Sequence, residues 1–205
     1  MLKLFIAHGS ISLASLILLE EVGASYEAVC VDFSCNEQQQ DAYLKINPKG
    51  RVPSLVTENG ILTETCAILV YIAQRFGPKH LVSMDDPFLF SRIQEFNSYL
   101  ASTVHVAHAH RFRGRRWVSD QAALDAMKQK VPETMTQVVT LIEDELLQGP
   151  WVMGDTYTVC DPYLFTIGRW LEDDGVDMKR IPRILEHRRC MIDRPATQSA
   201  LSQSS

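Results

Sequence analysis

Asn47-Pro48-Lys49-Gly50-Arg51-Val52-Pro53-Ser54-Leu55, followed closely by Leu62-Thr63-Glu64-Thr65, is the stretch whose reading decides the fold. Pro53 cannot donate to a β-ladder, so it stands where the chain enters a strand or runs along a sheet edge. Ser54-Leu55-Val56 continue that strand, and Asn59-Gly60 predicts a two-residue hairpin turn. Glu64-Thr65 then opens a helix whose apolar run, Cys66 to Ile72, stops at Gly77-Pro78, a C-cap followed by a breaker. A free Val52 backbone beside a rigid proline can pair with an extended peptide. A helix N-terminus just beyond it can hold a carboxylate. Together they suit a small acidic peptide.

Upstream, residues 2–7 read as a short strand and 12–22 as an apolar-faced helix stopped by Gly23. Residues 26–33 alternate as a second strand. Segment 34–50 is polar and irregular, with a helical turn over 41–46. The order β-α-β then β-β-α resembles a thioredoxin-like α/β domain over 1–77. A linker follows at 78–86, and everything after it, 87–205, reads as an all-helical domain. Asp86-Pro87 is a cap with proline at the first helical position. The helix it opens runs to about Phe112, about 40 Å, with Gly114 as its stop. The next begins at Ser119-Asp120, and Pro132 is expected to kink or divide it. Thr158-Val159-Cys160-Asp161 is a variant capping box whose role is structural. A final helix spans Pro182 to Arg194-Pro195, and 198–205 reads as a loose tail.

The 205 residues are 46% apolar and 22% charged, as in an ordinary soluble protein. A net charge of -5 argues against general nucleic-acid binding. No apolar run reaches the roughly 18 residues that span a membrane, and the first residues lack a signal peptide's pattern. Five scattered cysteines (Cys30, Cys35, Cys66, Cys160, Cys190) without C-x-x-C spacing oppose a disulfide framework or a zinc site. They fit a reducing cytoplasm.

The Val52-Pro53 and Glu64-Thr65 pattern resembles the glutathione site of the glutathione transferases, and the resemblance extends along nearly the whole chain. It implies a cis Val52–Pro53 bond and glutathione as co-substrate with no metal. It further implies a homodimer and attack of the glutathione thiolate on a mostly hydrophobic electrophile. Glu64 pairs with the α-ammonium of glutathione in this reading, and Thr65 and the helix N–H groups take its α-carboxylate. Arg51 and Cys35 join Val52 and Pro53 among the residues expected around the peptide. The capping box with the preceding Gly154-Asp155 resembles the folding motif of the family's helical domain.

The bacterial β class carries a cysteine in the turn after strand 1. Here that turn reads His8-Gly9-Ser10-Ile11-Ser12-Leu13, with Ile11 at the cysteine position. Phe5 and Ile6 stand where other classes carry a tyrosine. The remaining thiolate donors are the hydroxyls of Ser12 and Ser10, Ser12 ranked first because Ser10 is expected to cap the helix, and the first helical N–H groups. His105 occupies the position of a family histidine that faces the sulfur across the cleft. His108 shares its helix face, and no carboxylate accompanies them in sequence, which argues against a metal.

The basic run Arg111-Phe112-Arg113-Gly114-Arg115-Arg116-Trp117 is read first as a solvated helix end. Phosphate or RNA binding, and a second-substrate pocket favouring an anionic electrophile, are the alternatives. Loss of the cysteine leaves open a non-catalytic member that acts through a protein partner, as the stringent starvation protein A group does. A glutathione-dependent thiol reductase using Cys35 is the third reading.

Overall fold

The apolar residues of the first strand, buried at Leu2, Leu4, Phe5 and Ile6, build the centre of a sheet rather than an edge. In the computed structural model, which describes residues 1–204, β1 (Leu2–Ile6) lies between β2 (Tyr26–Cys30) and β3 (Ser54–Thr57), with β4 (Gly60–Thr63) outermost. β1 runs parallel to β2 and antiparallel to β3, and β3 and β4 form an antiparallel hairpin. Leu4 pairs with Leu55 and both are fully buried. The sequence places the hairpin turn one residue late. Thr57 pairs with Gly60, so the two loop residues are Glu58 and Asn59. Gly60 takes the left-handed conformation, φ 130°, that glycine tolerates best.

Helix α1 (Ser12–Glu21) is buried on all faces from Ser12 to Leu19, not on one stripe. It is enclosed by β1, by α3 (Thr65–Phe76), by α7 (Cys160–Gly168) and by α9 (Pro195–Gln203). A short α2 (Asp41–Leu44) places Tyr43 edge-on to Phe5, centroids 5.6 Å apart. Gly77 ends α3 with φ -96°, not as a left-handed cap. A side chain there would meet Leu81 and the Ala73 carbonyl, so close packing accounts for the glycine. In the segment read as a linker, Leu81 and Val82 are core residues, and the Leu81 carbonyl accepts from Val159 N–H.

Asp86 caps α4 (Pro87–Tyr99) by accepting from the N–H groups of Phe88 and Leu89. A π-turn at Leu100–Val104 joins it to α5 (His105–Phe112). Pro132 does not divide α6 (Gln121–Leu141), which continues through it. Buried Asp161, at the start of α7, accepts from Val152 N–H (2.8 Å) and Thr158 N–H (2.6 Å) and meets His187 Nε2 at 3.1 Å. That carboxylate ties three segments together, as the structural reading of the capping box requires. α8 (Pro182–Ile192) ends where expected.

The loose tail expected at 198–205 is instead mostly helix α9, laid against α1 with Thr197 and Ala200 buried. Its few apolar residues gave little periodicity. The helix rests on the α1 surface and on the Arg194–Glu21 ion pair. Ser205 lies outside the described residues.

Candidate active site

A cleft of about 1310 Å³ lies between the sheet-bearing half and the helices. Ser10, Ile11, Arg51 and Val52 line one wall, and His105 lines the other.

The edge at Val52 is set by a polar cluster behind it. Tyr43 Oη and Asn47 Nδ2 both donate to the Arg51 carbonyl, each at 2.7 Å. Asn47 is buried, and its Oδ1 accepts from Lys49 N–H. Gly50 sits at φ 60°, where a side chain would strike Gln39 and the Gln38 carbonyl. The Val52–Pro53 bond is cis, as the resemblance implied. Among the described residues neither the N–H nor the C=O of Val52 has a hydrogen-bond partner, so this edge is free for an extended ligand.

The Ser54–Thr63 pairing sets Glu64 beside Pro53. Glu64 precedes α3 with φ 72° and ψ 123°, a conformation rare outside glycine. Its carboxylate meets Lys49 Nζ at 2.5 Å, and Lys49 also donates to Thr63 Oγ1. No side chain caps α3, and the first helical bond runs from Ile68 N–H to the Glu64 carbonyl. The N–H groups of Thr65, Cys66 and Ala67 are therefore left for an anion.

In the turn after β1, Ser12 is completely buried. Its Oγ accepts from Ala7 N–H at 3.1 Å and lies 2.7 Å from Ser10 Oγ. This reverses the sequence ranking: Ser12 cannot reach the cleft, whereas Ser10 lines it. The capping role expected of Ser10 is weak, because Ile11 is the N-cap and the Ser12 N–H to Ser10 Oγ contact is 3.3 Å. Ser10 Oγ also donates to the Ala7 carbonyl at 2.8 Å. Ile11 has no side-chain donor, yet among the described residues its backbone N–H, at the start of α1, has no hydrogen-bond partner.

His105 faces this turn. Burial above all, then the charges of His108, Arg116 and Arg51, push its pKa down to about 4, so the imidazole is neutral at pH 7. Trp170, which the sequence reading missed, lies 5.3 Å from His105 between centroids, stacks on His108 at 4.2 Å and donates to the Gly9 carbonyl at 3.1 Å. Fully buried Asp174 holds His108 Nδ1 at 2.7 Å and Arg111 at 3.2 Å. The helices thus clamp the turn through Asp174, His108 and Trp170. No local motif announces residues 170 and 174, because tertiary packing alone brings them to the cleft.

Cys35 is exposed and does not line the cleft. Its Sγ lies 3.5 Å from the Asp32 carbonyl, and desolvation followed by neighbouring Asp32 raises its pKa. That is the opposite of an activated thiol. Arg113 and Arg116 are exposed, as a solvated helix end requires, and they also line the cleft. Among the described residues no group of three histidine, cysteine or acidic side chains can hold a metal ion. No helix there is long and apolar enough to cross a membrane.

The family model "Glutathione S-transferase, N-terminal domain" matches residues 1–74. Glutathione S-transferase GstA of Escherichia coli O157:H7 is 30% identical over 203 residues, 98% of each chain. A glutathione transferase homologue from Sulfitobacter, solved with bound glutathione, superimposes with a TM-score of 0.95 at 42% identity, covering 99% of this chain and 98% of that one. A sphingomonad glutathione S-transferase complexed with glutathione gives 0.85 at 32% identity, covering 98% of each. With the free Val52 edge, the uncapped α3 terminus and the facing histidine, these likenesses lead to one conclusion: the chain belongs to the glutathione S-transferase family.

Proposed function

We propose that the chain joins the glutathione thiolate to an electrophilic carbon using Ser10, the Ile11 N–H and His105 in place of a cysteine. The observation that carries this reading is the set of backbone donors and acceptors without partners among the described residues at Val52, which shares the cleft with Ser10 and Ile11, and at the start of α3. Glutathione's cysteinyl backbone pairs with Val52 next to Pro53. Its α-carboxylate takes the α3 N–H groups with Thr65, and its α-ammonium meets Glu64. Gln38 supports a peptide ligand, since its buried Oε1 has no partner and the residue lines the cleft.

Ser12 acts as a positioning residue. Donation from its hydroxyl to Ser10 Oγ leaves the Ser10 proton free to turn from the Ala7 carbonyl to the sulfur. Neutral His105 offers a second hydrogen bond from across the cleft. The thiol proton passes to water, the new C–S bond forms, and the leaving group departs with its electron pair. The groups supply thiolate stabilisation and orientation.

The reading includes two domains, 1–77 and 87–205 joined by 78–86, and a cytoplasmic homodimer. The exposed apolar side chains of Ile61, Met84 and Phe88, at 44%, 50% and 77%, are of the kind a second copy would cover. Light scattering checks the dimer. Glutathione-dependent loss of an electrophile checks the reaction. Tight glutathione binding without turnover of any electrophile in a broad panel favours the non-catalytic alternative.

A further inference from the structure

The cleft carries the opposite charge from the rest of the molecule. The protein has a net charge of -5, yet the side chains lining the cleft include seven cations, Lys or Arg, against two carboxylates. Elsewhere seven of the thirteen Lys and Arg side chains meet a carboxylate among the described residues, as in Lys3–Glu27, Arg92–Glu95 and Lys130–Glu133. In the cleft Arg111 alone is paired among the described residues, with Asp174. Arg51, Arg113 and Arg116 have no carboxylate within 4 Å among the described residues.

These three guanidiniums converge from both walls. Arg113 reaches across the cleft, its Cζ 5.5 Å from the centre of the Phe33 ring on the sheet-bearing side. Desolvation, then the charges of Arg51 and Arg113, lower the Arg116 pKa. Arg51 and Arg116 are also both close enough to His105 to disfavour its protonation. Like charges gathered in a concave site repel one another, and an anionic ligand relieves that repulsion. Arg51 adjoins Val52 on the glutathione side, whereas Arg113 and Arg116 stand on the helical side, where the second substrate enters. The Arg fork matches a planar carboxylate. An extended polyanion such as RNA is disfavoured by the protein's net charge of -5.

Building on the transferase reading, we propose that the second substrate is an electrophile bearing a carboxylate, which Arg113 and Arg116 seat beside His105.

The test compares 4-chloro-3-nitrobenzoate with its methyl ester. In both, the glutathione sulfur bonds to C4 and chloride leaves with the C–Cl electron pair. Each kcat/KM is divided by the uncatalysed rate constant to remove the difference in intrinsic reactivity. The wild-type protein is expected to favour the acid by roughly 10–100-fold, the range of a charge-assisted hydrogen bond. Arg113→Gln with Arg116→Gln should bring the ratio to within about threefold of one, and Arg116→Lys alone should fall between. A wild-type ratio near one, or an unchanged ratio in the double variant, overturns the proposal. So does an effect confined to the KM for glutathione, which would assign these arginines to the glycyl carboxylate of the peptide.

If neither compound is turned over, calorimetry with 3-nitrobenzoate and its methyl ester on protein saturated with S-methylglutathione decides the matter. Tighter binding of the acid by wild type, lost in the double variant, supports the anion site even as the transferase reading fails. Equal binding of the two compounds overturns the site as well.

Discussion

Replacing Glu64 separates backbone strain from ligand recognition. Glu64 holds φ 72° and ψ 123°, and its carboxylate touches only exposed Lys49. A non-glycine residue in such a region costs about 1–3 kcal/mol. Glu64→Ala keeps that cost and Glu64→Gly removes it, while glycine adds unfolded-state entropy of about 0.4–1 kcal/mol. The Lys49 pair, with side chains 43% and 62% exposed, contributes at most about 1 kcal/mol and is lost in both variants, so it cancels. The glycine variant should therefore exceed the alanine variant in stability by about 0.5–2 kcal/mol. For a chain of this size that is roughly 1–8 °C in Tm, measured by thermal denaturation without ligand. Both variants should lose about 1.5–3 kcal/mol of glutathione affinity, roughly 10–150-fold in Kd by calorimetry. Equal stability of the two variants refutes the strain argument. Glutathione affinity within about twofold of wild type places the γ-glutamyl end away from Glu64.

Asp161→Ala leaves the buried N–H groups of Val152 and Thr158 without acceptors, at about 1–3 kcal/mol each. Tm should fall by roughly 4–20 °C, and a drop below about 2 °C contradicts its role as a hub. Trp170→Phe loses the bond to the Gly9 carbonyl; stability should fall by only about 0.5–1.5 kcal/mol while kcat falls at least about fivefold, and an unchanged kcat removes the clamp from the mechanism. His105 has a folded pKa of about 4 against about 6.5 unfolded, so folding favours its neutral form. The stability this contributes is present above pH 6.5 and is lost as pH falls from 6.5 to 4. Urea midpoints at pH 7 and pH 5 should therefore differ less in His105→Gln than in wild type, and an equal difference refutes the assignment.

Elements that obey a strong local rule were legible in the sequence. Pro53 at the entry to β3, Asp86-Pro87 at the start of α4 and the Thr158–Asp161 box each mark a backbone need that few residues meet. The succession of strands and helices in the N-terminal half followed from the alternation and the hairpin. The fully buried α1, the continuity of α6 through Pro132 and the helix α9 were not legible, because each depends on what packs against it. The same division runs through the site. Val52, Glu64 and His105 carried a positional signal, whereas the rank of Ser12 against Ser10 turned on burial that the turn sequence does not encode. The cleft-facing direction of Arg113 and Arg116 likewise depends on how the chain leaves α5 at Gly114, whose missing side chain makes room for Leu124 and Met127.

The central claim is that the turn after β1 stabilises a glutathione thiolate without a cysteine. Titrating the bound thiol by its ultraviolet absorbance against pH tests it most directly, in wild type and in Ser10→Ala, Ser12→Ala and His105→Ala. An ordinary thiol titrates near about 8.5, and helix N-termini and nearby donors lower that value. The account predicts a bound value at least about one unit lower. Ser10→Ala should move it back most and reduce turnover by about 10–1000-fold, His105→Ala less, and Ser12→Ala only through Ser10. A bound thiol that titrates near 8.5 in wild type contradicts the claim, and a lowered value untouched in all three variants shifts the effect to the Ile11 N–H and its neighbours.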